Sequence, residues 1–202
     1  MQKIIIGLVG PIASGKGIIS DYLKDRGFLF EKLSDRLRDE CIKRGLMVNR
    51  KNLQDVGNEL RESHGSHILA QLTLEKYFGS GLPICIDGVR NPGEMDFIKN
   101  SGGLIIAITA PEELRMKWYL ERSKLRREDG ATARDFIEAN DRDLGKNESQ
   151  NGQQVELCIK NSDYVIENIG TKEDLIEVVR EVLLISRQYD IEGRFPKQKE
   201  IL

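Results

Sequence analysis

The stretch IIIGLVGPIASGKG, from Ile4 to Gly17, decides the fold of this chain. Its apolar first half is long enough for one buried strand, and its glycine-framed second half leads into an amphipathic segment that begins at Ile18. The spacing from Gly10 to Lys16 matches the pattern GxxxxGK, with the strand before it and the helix after it that this pattern requires. The stretch therefore predicts a loop that binds phosphate.

Such a loop holds an anion through backbone N–H groups, so it must curl tightly with no Cβ in the way at Gly10 and Gly15. The N-terminus of the following helix adds its dipole, and Lys16 supplies a positive charge to the outer phosphates. A glycine turn that happens to precede a lysine is the alternative explanation. The residues predicted to bind ATP are Gly10, Pro11, Ile12, Ala13, Ser14, Gly15, Lys16, Gly17 and Ile18.

Gly17 departs from the usual pattern, which has Ser or Thr at this position as a contact to magnesium. Ile18 follows it, so the loop offers no hydroxyl on that side, and Ser14 is the only hydroxyl close by. We therefore expect the magnesium ligands to come mostly from phosphates, water and a carboxylate elsewhere in the chain.

The composition suits one domain of 202 residues with a real core. Positive and negative charges nearly cancel to a net charge of −2, which gives little support to binding of nucleic acid or of an anionic membrane. No apolar run approaches the ~20 residues that cross a bilayer. The chain has three widely spaced cysteines, Cys41, Cys85 and Cys158, and this spacing fits neither a disulfide framework nor a zinc site. We therefore expect reduced cysteines in a soluble, cytoplasmic protein.

Apolar runs alternate with helical patterns along the chain, which is the signature of a parallel α/β sheet. The predicted fold is a three-layer domain over residues 1–190, with a central parallel sheet of about five strands and helices on both faces. Ser34 is a candidate N-cap of the second helix. Residues 121–149 are dense in charge and carry a thin apolar stripe, so we expect a mobile, weakly packed segment there, and a surface tail over residues 191–202.

Asp87 follows the short β-rich run that ends at Ile86. Its carboxylate is expected at the carboxyl end of a parallel strand, where ligands of such sheets bind and where the phosphate loop opens. Arg90 lies three residues further on and would bring a cation to the same place. We interpret Asp87 as the carboxylate that orients magnesium, through water; a strand-end residue that bonds a turn is the alternative.

Three motifs in this order resemble the nucleoside monophosphate kinases, adenylate kinase above all. They are the loop from Gly10 to Gly17, the segment SDRLR from Ser34 to Arg38, and the tetrad DGVR from Asp87 to Arg90. The resemblance covers roughly residues 3 to 186 and implies a P-loop fold, ATP and Mg²⁺ as cofactors, an acceptor-binding helical region at residues 34–80 and a small Arg-rich lid at residues 121–149. The motifs are specific for P-loop kinases and not for one substrate.

The resemblance also implies roles for individual residues. Arg38 and Arg90 would hold the phosphate of the acceptor, with Ser34 and Asp35 in the acceptor pocket. The catalytic set would be Lys16 and Arg90 together with three lid arginines, Arg122, Arg127 and Arg142. The alternatives are a solvated helix charge at Arg38 and surface ion pairs of the lid arginines with Glu121, Glu128, Asp141 or Asp143.

The acceptor itself stays open at this point. Dephospho-coenzyme A kinase shares the overall plan, although its acceptor-side signature has no counterpart that we can place. The stretch from Leu53 to Arg61 looks like a segment of phage-type deoxynucleoside monophosphate kinases and of an archaeal group of adenylate-kinase-like proteins. His64 and His67 lie at a predicted helix joint and are candidates to touch a base or phosphate, or simply surface residues.

The function that we predict from sequence is transfer of the γ-phosphoryl group of ATP to a nucleoside or deoxynucleoside monophosphate, by a monomer or homodimer whose partners are small nucleotides. The rivals are a dephospho-coenzyme A kinase-like enzyme and a P-loop ATPase that acts as a regulatory switch.

Overall fold

The computed structural model describes residues 4–77, 79–123, 132–146, 148–192 and 199–200. Strands and helices alternate along these residues. The elements, in chain order, are β1 Ile5–Val9, α1 Lys16–Lys24, β2 Leu29–Lys32, α2 Leu33–Lys43, α3 Arg50–His64, α4 Ile68–Lys76, β3 Ile84–Asp87, α5 Pro92–Asn100, β4 Leu104–Thr109, α6 Glu112–Ser123, α7 Ala133–Leu144, α8 Val155–Lys160, β5 Tyr164–Glu167, α9 Lys172–Glu192 and β6 Lys199–Glu200.

The strands form a single parallel sheet with the order β2-β3-β1-β4-β5-β6. This confirms the α/β class and the central parallel sheet expected from the sequence. The short strand β6 extends the sheet beyond β5, at a place where we expected only a surface tail. Without β6, β5 would be an edge strand with unpaired backbone groups, and the segment that forms β6 gains hydrogen bonds by pairing with them.

Two hydrophobic cores lie on opposite faces of the sheet because successive side chains of β1 point to opposite sides. Ile6 and Leu8 pack with helices α1 and α9, whereas Ile5 and Val9 pack with the layer that includes α2, α4, α5 and α8. Within the described chain, no helix is both long enough and apolar enough to serve as a membrane span. The three cysteines are buried free thiols.

A third, smaller cluster joins the phosphate loop to the lid-like segment. Phe136 of α7 is fully buried, and its ring meets that of Tyr119 edge to face at 5.5 Å, with Ile12 of the loop in the same cluster. The expectation that the whole segment packs weakly is therefore wrong for α7. The apolar stripe of α7 is thin because Ile137 is exposed to solvent. The Phe136 ring on the inner face nevertheless packs α7 against Tyr119 and the phosphate loop.

The structure corrects the predicted start of α2 and agrees with the predicted end of α3. The N-cap of α2 is Lys32 and not Ser34, because the Asp35 carboxylate reaches back to the Lys32 backbone N–H at 3.4 Å. Helix α3 ends as expected at the His64–Gly65 joint, where Gly65 has a φ of 95°.

The buried carboxylate of Glu94 ties three elements together. One of its oxygens accepts from Arg61 of α3 at 3.0 and 2.7 Å, and the other accepts from the backbone N–H groups of Arg90 and Asn91 at 2.9 and 3.2 Å. Both side chains of the Arg61–Glu94 ion pair are almost fully removed from solvent. The pair therefore fixes α3 against the turn that follows β3.

We expect Glu94→Ala to lower the free energy of unfolding by about 3–5 kcal/mol, because it leaves the buried Arg61 guanidinium without its counter-charge. Chemical denaturation is the measurement. Glu75→Ala, on the exposed surface of α4, serves as the control and should change stability by less than about 0.5 kcal/mol. A Glu94→Ala protein as stable as the control variant would contradict the assigned role of this pair.

Candidate functional site

The phosphate loop lies between β1 and α1 and needs glycine at two positions. Gly10 has a φ of 148°, and a Cβ there would lie 2.1 Å from the Ile108 carbonyl oxygen of β4. Gly15 has a φ of 106°, and a Cβ there would lie 2.4 Å from Asn168 Nδ2. The backbone contact at Gly10 excludes a side chain, whereas at Gly15 the positive φ and the nearby Asn168 amide both favour glycine.

Lys16 is the first residue of α1, and its side chain folds back over the loop. Its Nζ donates to the carbonyl oxygens of Gly10 at 2.6 Å and Pro11 at 2.9 Å. Burial lowers the pKa of Lys16 from 10.5 to about 8; the Asp87 carboxylate opposes this shift, and the Arg90 guanidinium adds to it. An anion bound in the loop would offer Nζ better partners than the two carbonyls.

A cleft of about 570 Å³ opens above the loop. It brings together loop residues, the end of β3 and the first part of the lid-like segment, as the parallel sheet predicts for its carboxyl edge. Its lining residues are Ile12, Ala13, Ser14, Gly15, Lys16, Gly17, Ile18, Lys32, Ser34, Arg38, Asp87, Gly88, Arg90, Trp118, Arg122, Asn168, Gly170 and Lys172.

Asp87 ends β3 beside Leu8 of β1 and lines this cleft. Its Oδ1 atom is buried and has no hydrogen-bond partner within the part of the chain that the structure describes. A buried carboxylate oxygen without a partner is unfavourable unless a cation or water completes it. The site thus fits a magnesium ion held through water and phosphate oxygens. No group of three or more His, Cys, Asp or Glu side chains among the described residues could hold a metal by itself.

A second cavity, of about 140 Å³, adjoins the cleft and lies between α2, α3 and α4. Ser34, Arg38, Gly88 and Arg90 line both spaces. The remaining lining residues of the second cavity are Leu33, Leu37, Val48, Asn49, Leu53, Gln54, Arg61, Leu69 and Gln153. Asp35 is not among them: its carboxylate caps α2 and lies 3.6 Å from Arg38.

Arg90 stands on the shared wall in a fixed position. Its Nη1 donates to the Asp143 carboxylate of α7 and to Gln153 Oε1, the latter at 2.8 Å. The nearby Asp143 charge raises the pKa of the Arg90 guanidinium further above its ordinary value. The guanidinium is therefore charged at every physiological pH and is held at the boundary between the two spaces.

The lid arginines behave differently from one another. Arg122 lines the cleft, with its guanidinium 5.7 Å from the centre of the Tyr119 ring. Arg142 lines neither space and pairs with Glu148 at 2.8 Å and Asp55 at 3.6 Å. Arg127 lies outside the described residues. His64 and His67 line neither space either, and the His67 ring stacks on Phe97 at 5.5 Å.

The residues of the cleft and its support that sequence reasoning missed include Asn168, Arg115 and Trp118. Asn168 follows β5 and donates from Nδ2 to the Ser14 carbonyl oxygen at 3.0 Å. Arg115 of α6 donates to the Ile12 carbonyl oxygen at 3.3 Å and to Asn140 at 2.6 Å, and burial lowers its pKa. Trp118, the single tryptophan of the chain, lines the cleft from α6. Only Asn168 carried a usable signal, its position at the carboxyl end of a strand.

Fold and loop together define the class: this is a P-loop protein, as the loop motif indicated. Residues 6–143 match the family model described as an AAA domain. A UPF0200 protein from Sulfurisphaera tokodaii is 31% identical over 180 residues, which cover 89% of this chain and 95% of that protein. A UPF0200/UPF0201 protein from Archaeoglobus fulgidus is 29% identical; the match covers 96% of this chain but spans only 59% of the length of that relative. The chain belongs to the UPF0200 family.

Solved structures share the fold. The crystal structure of TT1252 from Thermus thermophilus is similar with a TM-score of 0.60 and 21% identity, over 91% of this chain and 98% of that one. Shikimate kinase from Acinetobacter baumannii, in complex with shikimate, is similar with a TM-score of 0.54 and 20% identity, over 90% of this chain and 93% of that one. These likenesses establish the P-loop kinase fold.

We expect the affinity for ATP with magnesium to fall as the pH rises above about 8, the pKa of Lys16 in the free protein. Bound phosphates favour the charged ammonium and raise its pKa, so binding above pH 8 takes up a proton and weakens by up to about tenfold per pH unit. Fluorescence of Trp118 during ATP titrations gives the dissociation constant. Lys16→Met should bind ATP weakly, with an affinity that does not change with pH in this range. If the affinity of the wild type is equally independent of pH, Lys16 does not bind the phosphates of ATP.

Proposed function

We propose that this protein is an ATP-dependent phosphotransferase that moves the γ-phosphoryl group of ATP to a nucleoside or deoxynucleoside monophosphate. The observation that carries the proposal is the wall shared by the nucleotide cleft and the second cavity, which contains Arg38 and Arg90. Two adjoining spaces with cations at their boundary suit a reaction between two phosphates, because transfer requires both to be held side by side.

The alternative function is that of a P-loop ATPase that serves as a regulatory switch. A switch requires a site for ATP and a surface for its partner, and it has no need of a second cavity that adjoins the nucleotide cleft. The cavity between α2, α3 and α4 therefore favours the transferase.

In the proposed reaction, an oxygen of the acceptor phosphate forms a bond to the γ-phosphorus of ATP. The bond from that phosphorus to the β–γ bridging oxygen breaks, and ADP leaves. Charge spreads over the equatorial oxygens during this step, so catalysis consists chiefly of positioning and charge stabilisation. Lys16 would exchange its contacts with Gly10 and Pro11 for the ATP phosphates, while Arg90, fixed by Asp143 and Gln153, would contact both reacting groups.

Asp87 would hold magnesium through water, with the phosphate oxygens of ATP as further ligands. When bound, the metal neutralises charge on the transferring group. Gly17 supplies no hydroxyl, so the carboxylate of Asp87 takes a larger share of metal orientation than in loops that carry Ser or Thr.

Two helical regions beside the loop would serve the same reaction. Residues 34–80 would bind the acceptor and residues 121–149 would close over ATP, which excludes the water that could otherwise accept the phosphate. Of the two lid arginines that the structure describes, Arg122 lines the cleft and is the better placed to contact phosphate. Arg127 and Arg142 remain predictions, and Arg142 would have to leave Glu148 and Asp55 in order to take part.

We expect Asp87→Asn to require far more magnesium for transfer, because the neutral amide attracts the hydrated cation poorly. A Cβ at Gly17 meets nothing within 4 Å, so Gly17→Ser fits without strain and adds the missing hydroxyl. Introduced into Asp87→Asn, it should recover part of the magnesium affinity. Magnesium titrations of transfer rates, with melting temperatures alongside, are the measurement. Unchanged metal dependence with reduced stability would show that Asp87 only bonds a turn.

We expect Arg38→Ala to raise the acceptor KM by about tenfold or more and to lower kcat, since it removes a charge-assisted bond to the acceptor phosphate. ATP affinity should change little. Steady-state kinetics with each substrate varied in turn provides the measurement. Arg44→Ala, near the end of the same helix and outside both spaces, is the control. If no monophosphate stimulates ATP consumption and Arg38→Ala leaves basal hydrolysis unchanged, the ATPase reading replaces the transferase.

A further inference from the structure

Helix α3 presents one face to the second cavity, and the residues of that face lie between Leu53 and Arg61. Leu53, Gln54 and Arg61 line the cavity. Gly57 lies between them on the same helical stripe, and a Cβ there would come within 3.3 Å of the Leu37 side chain of α2. The small residue thus lets α3 approach α2 closely. Gln54 and Arg61 are seven residues apart, so they stand about 10.5 Å apart along the helix axis.

Gln54 is almost completely buried, with 7% of its surface exposed. Its Nε2 atom is inaccessible to solvent and has no hydrogen-bond partner among the residues that the structure describes. Buried amides in folded proteins nearly always have partners, and one without a partner is unfavourable for the free protein. Such a group, at the wall of a cavity, indicates a polar ligand that completes it.

Two other polar side chains that line the cavity have partners. Arg61 donates twice to Glu94, and Gln153 accepts from Arg90. The contrast identifies Gln54 as a group whose hydrogen bonds await a ligand, whereas Arg61 and Gln153 shape the wall.

The position of Gln54 shows which part of the ligand it would contact. Arg38 and Arg90 line both spaces and so lie next to the transferring phosphate, but Gln54 lines the second cavity alone. The buried aliphatic side chains of Leu33, Leu37 and Leu69 share this cavity with it. Aliphatic walls beside a buried carboxamide with an unpartnered N–H group suit a flat heterocycle, whose faces are apolar and whose edge carries hydrogen-bond groups.

We propose that Gln54 is a specificity-determining residue that reads the edge of the acceptor's heterocyclic base. A carboxamide offers a donor and an acceptor side by side, and it pairs with a base edge that carries an acceptor next to a donor. The acceptor is therefore a base-bearing monophosphate and not a simple sugar phosphate. This inference rests on the proposed function, since it concerns the second substrate of that reaction.

The test is Gln54→Met, which keeps the volume of the side chain and removes its polar atoms. Monophosphates of adenosine, guanosine, cytidine, uridine and thymidine serve as acceptors, with ribose 5-phosphate as the ligand that lacks a base. We expect KM for the best nucleotide to rise by about tenfold or more and the differences in kcat/KM among the bases to shrink. Binding of ribose 5-phosphate and of ATP should not change.

The melting temperature of the nucleotide-free protein separates this role from a structural one. Gln54→Met should melt at the wild-type temperature or above it, because the variant loses an unsatisfied buried amide. Gln71→Met, on α4 and outside both spaces, is the matched control and should leave selectivity unchanged. A lower melting temperature with unchanged base selectivity would overturn the proposal while leaving the transferase intact.

Calorimetric titration of the same monophosphates, without ATP, keeps this result distinct from failure of the proposed function. If no transfer occurs but the nucleotides bind, and Gln54→Met weakens only the base-bearing ligands, the cavity is a base site in a protein that is not a transferase. If none of the monophosphates binds to the wild type, the assignment of Gln54 is wrong.

Discussion

The close approach of the phosphate loop to the sheet is the constraint on which the whole site depends. Gly10 passes so near the Ile108 carbonyl oxygen of β4 that no side chain fits, and Gly15, which has a positive φ, lies against the Asn168 side-chain amide. Two further contacts hold the loop from above: Asn168 bonds the Ser14 carbonyl, and Arg115 bonds the Ile12 carbonyl. Anion binding by such a loop relies on its backbone N–H groups, and these two contacts hold the backbone that carries them.

A second constraint positions the acceptor side. Glu94 holds Arg61 with one oxygen and the backbone after β3 with the other, so helix α3 and the turn that carries Arg90 cannot move independently. Asp143 of α7 then fixes the Arg90 side chain itself. One buried carboxylate and one ion pair thereby place a cation between the two spaces.

The charged segment near residue 140 shows why composition is a poor guide to packing. Its many charges suggested weak contact, yet Phe136 is fully buried against Tyr119, and Asp143 is almost fully buried beside Arg90. A single aromatic ring buries enough apolar surface to fix a short helix. Arg142 directly precedes Asp143 in the sequence but pairs with Asp55 and Glu148 instead of reaching the cleft, because neighbouring residues on a helix point in different directions.

The sequence by itself determined the phosphate loop, the parallel α/β class and the place of Asp87 at a strand end. These depend on local spacing and on hydrophobic period, and both are written in consecutive residues. Only the tertiary structure decided that Arg38 and Arg90 share a wall, that Asn168 and Arg115 brace the loop, and that Gln54 faces a cavity without a partner. Those relations join residues far apart in the chain, and no local pattern records which helix face is covered by which neighbour.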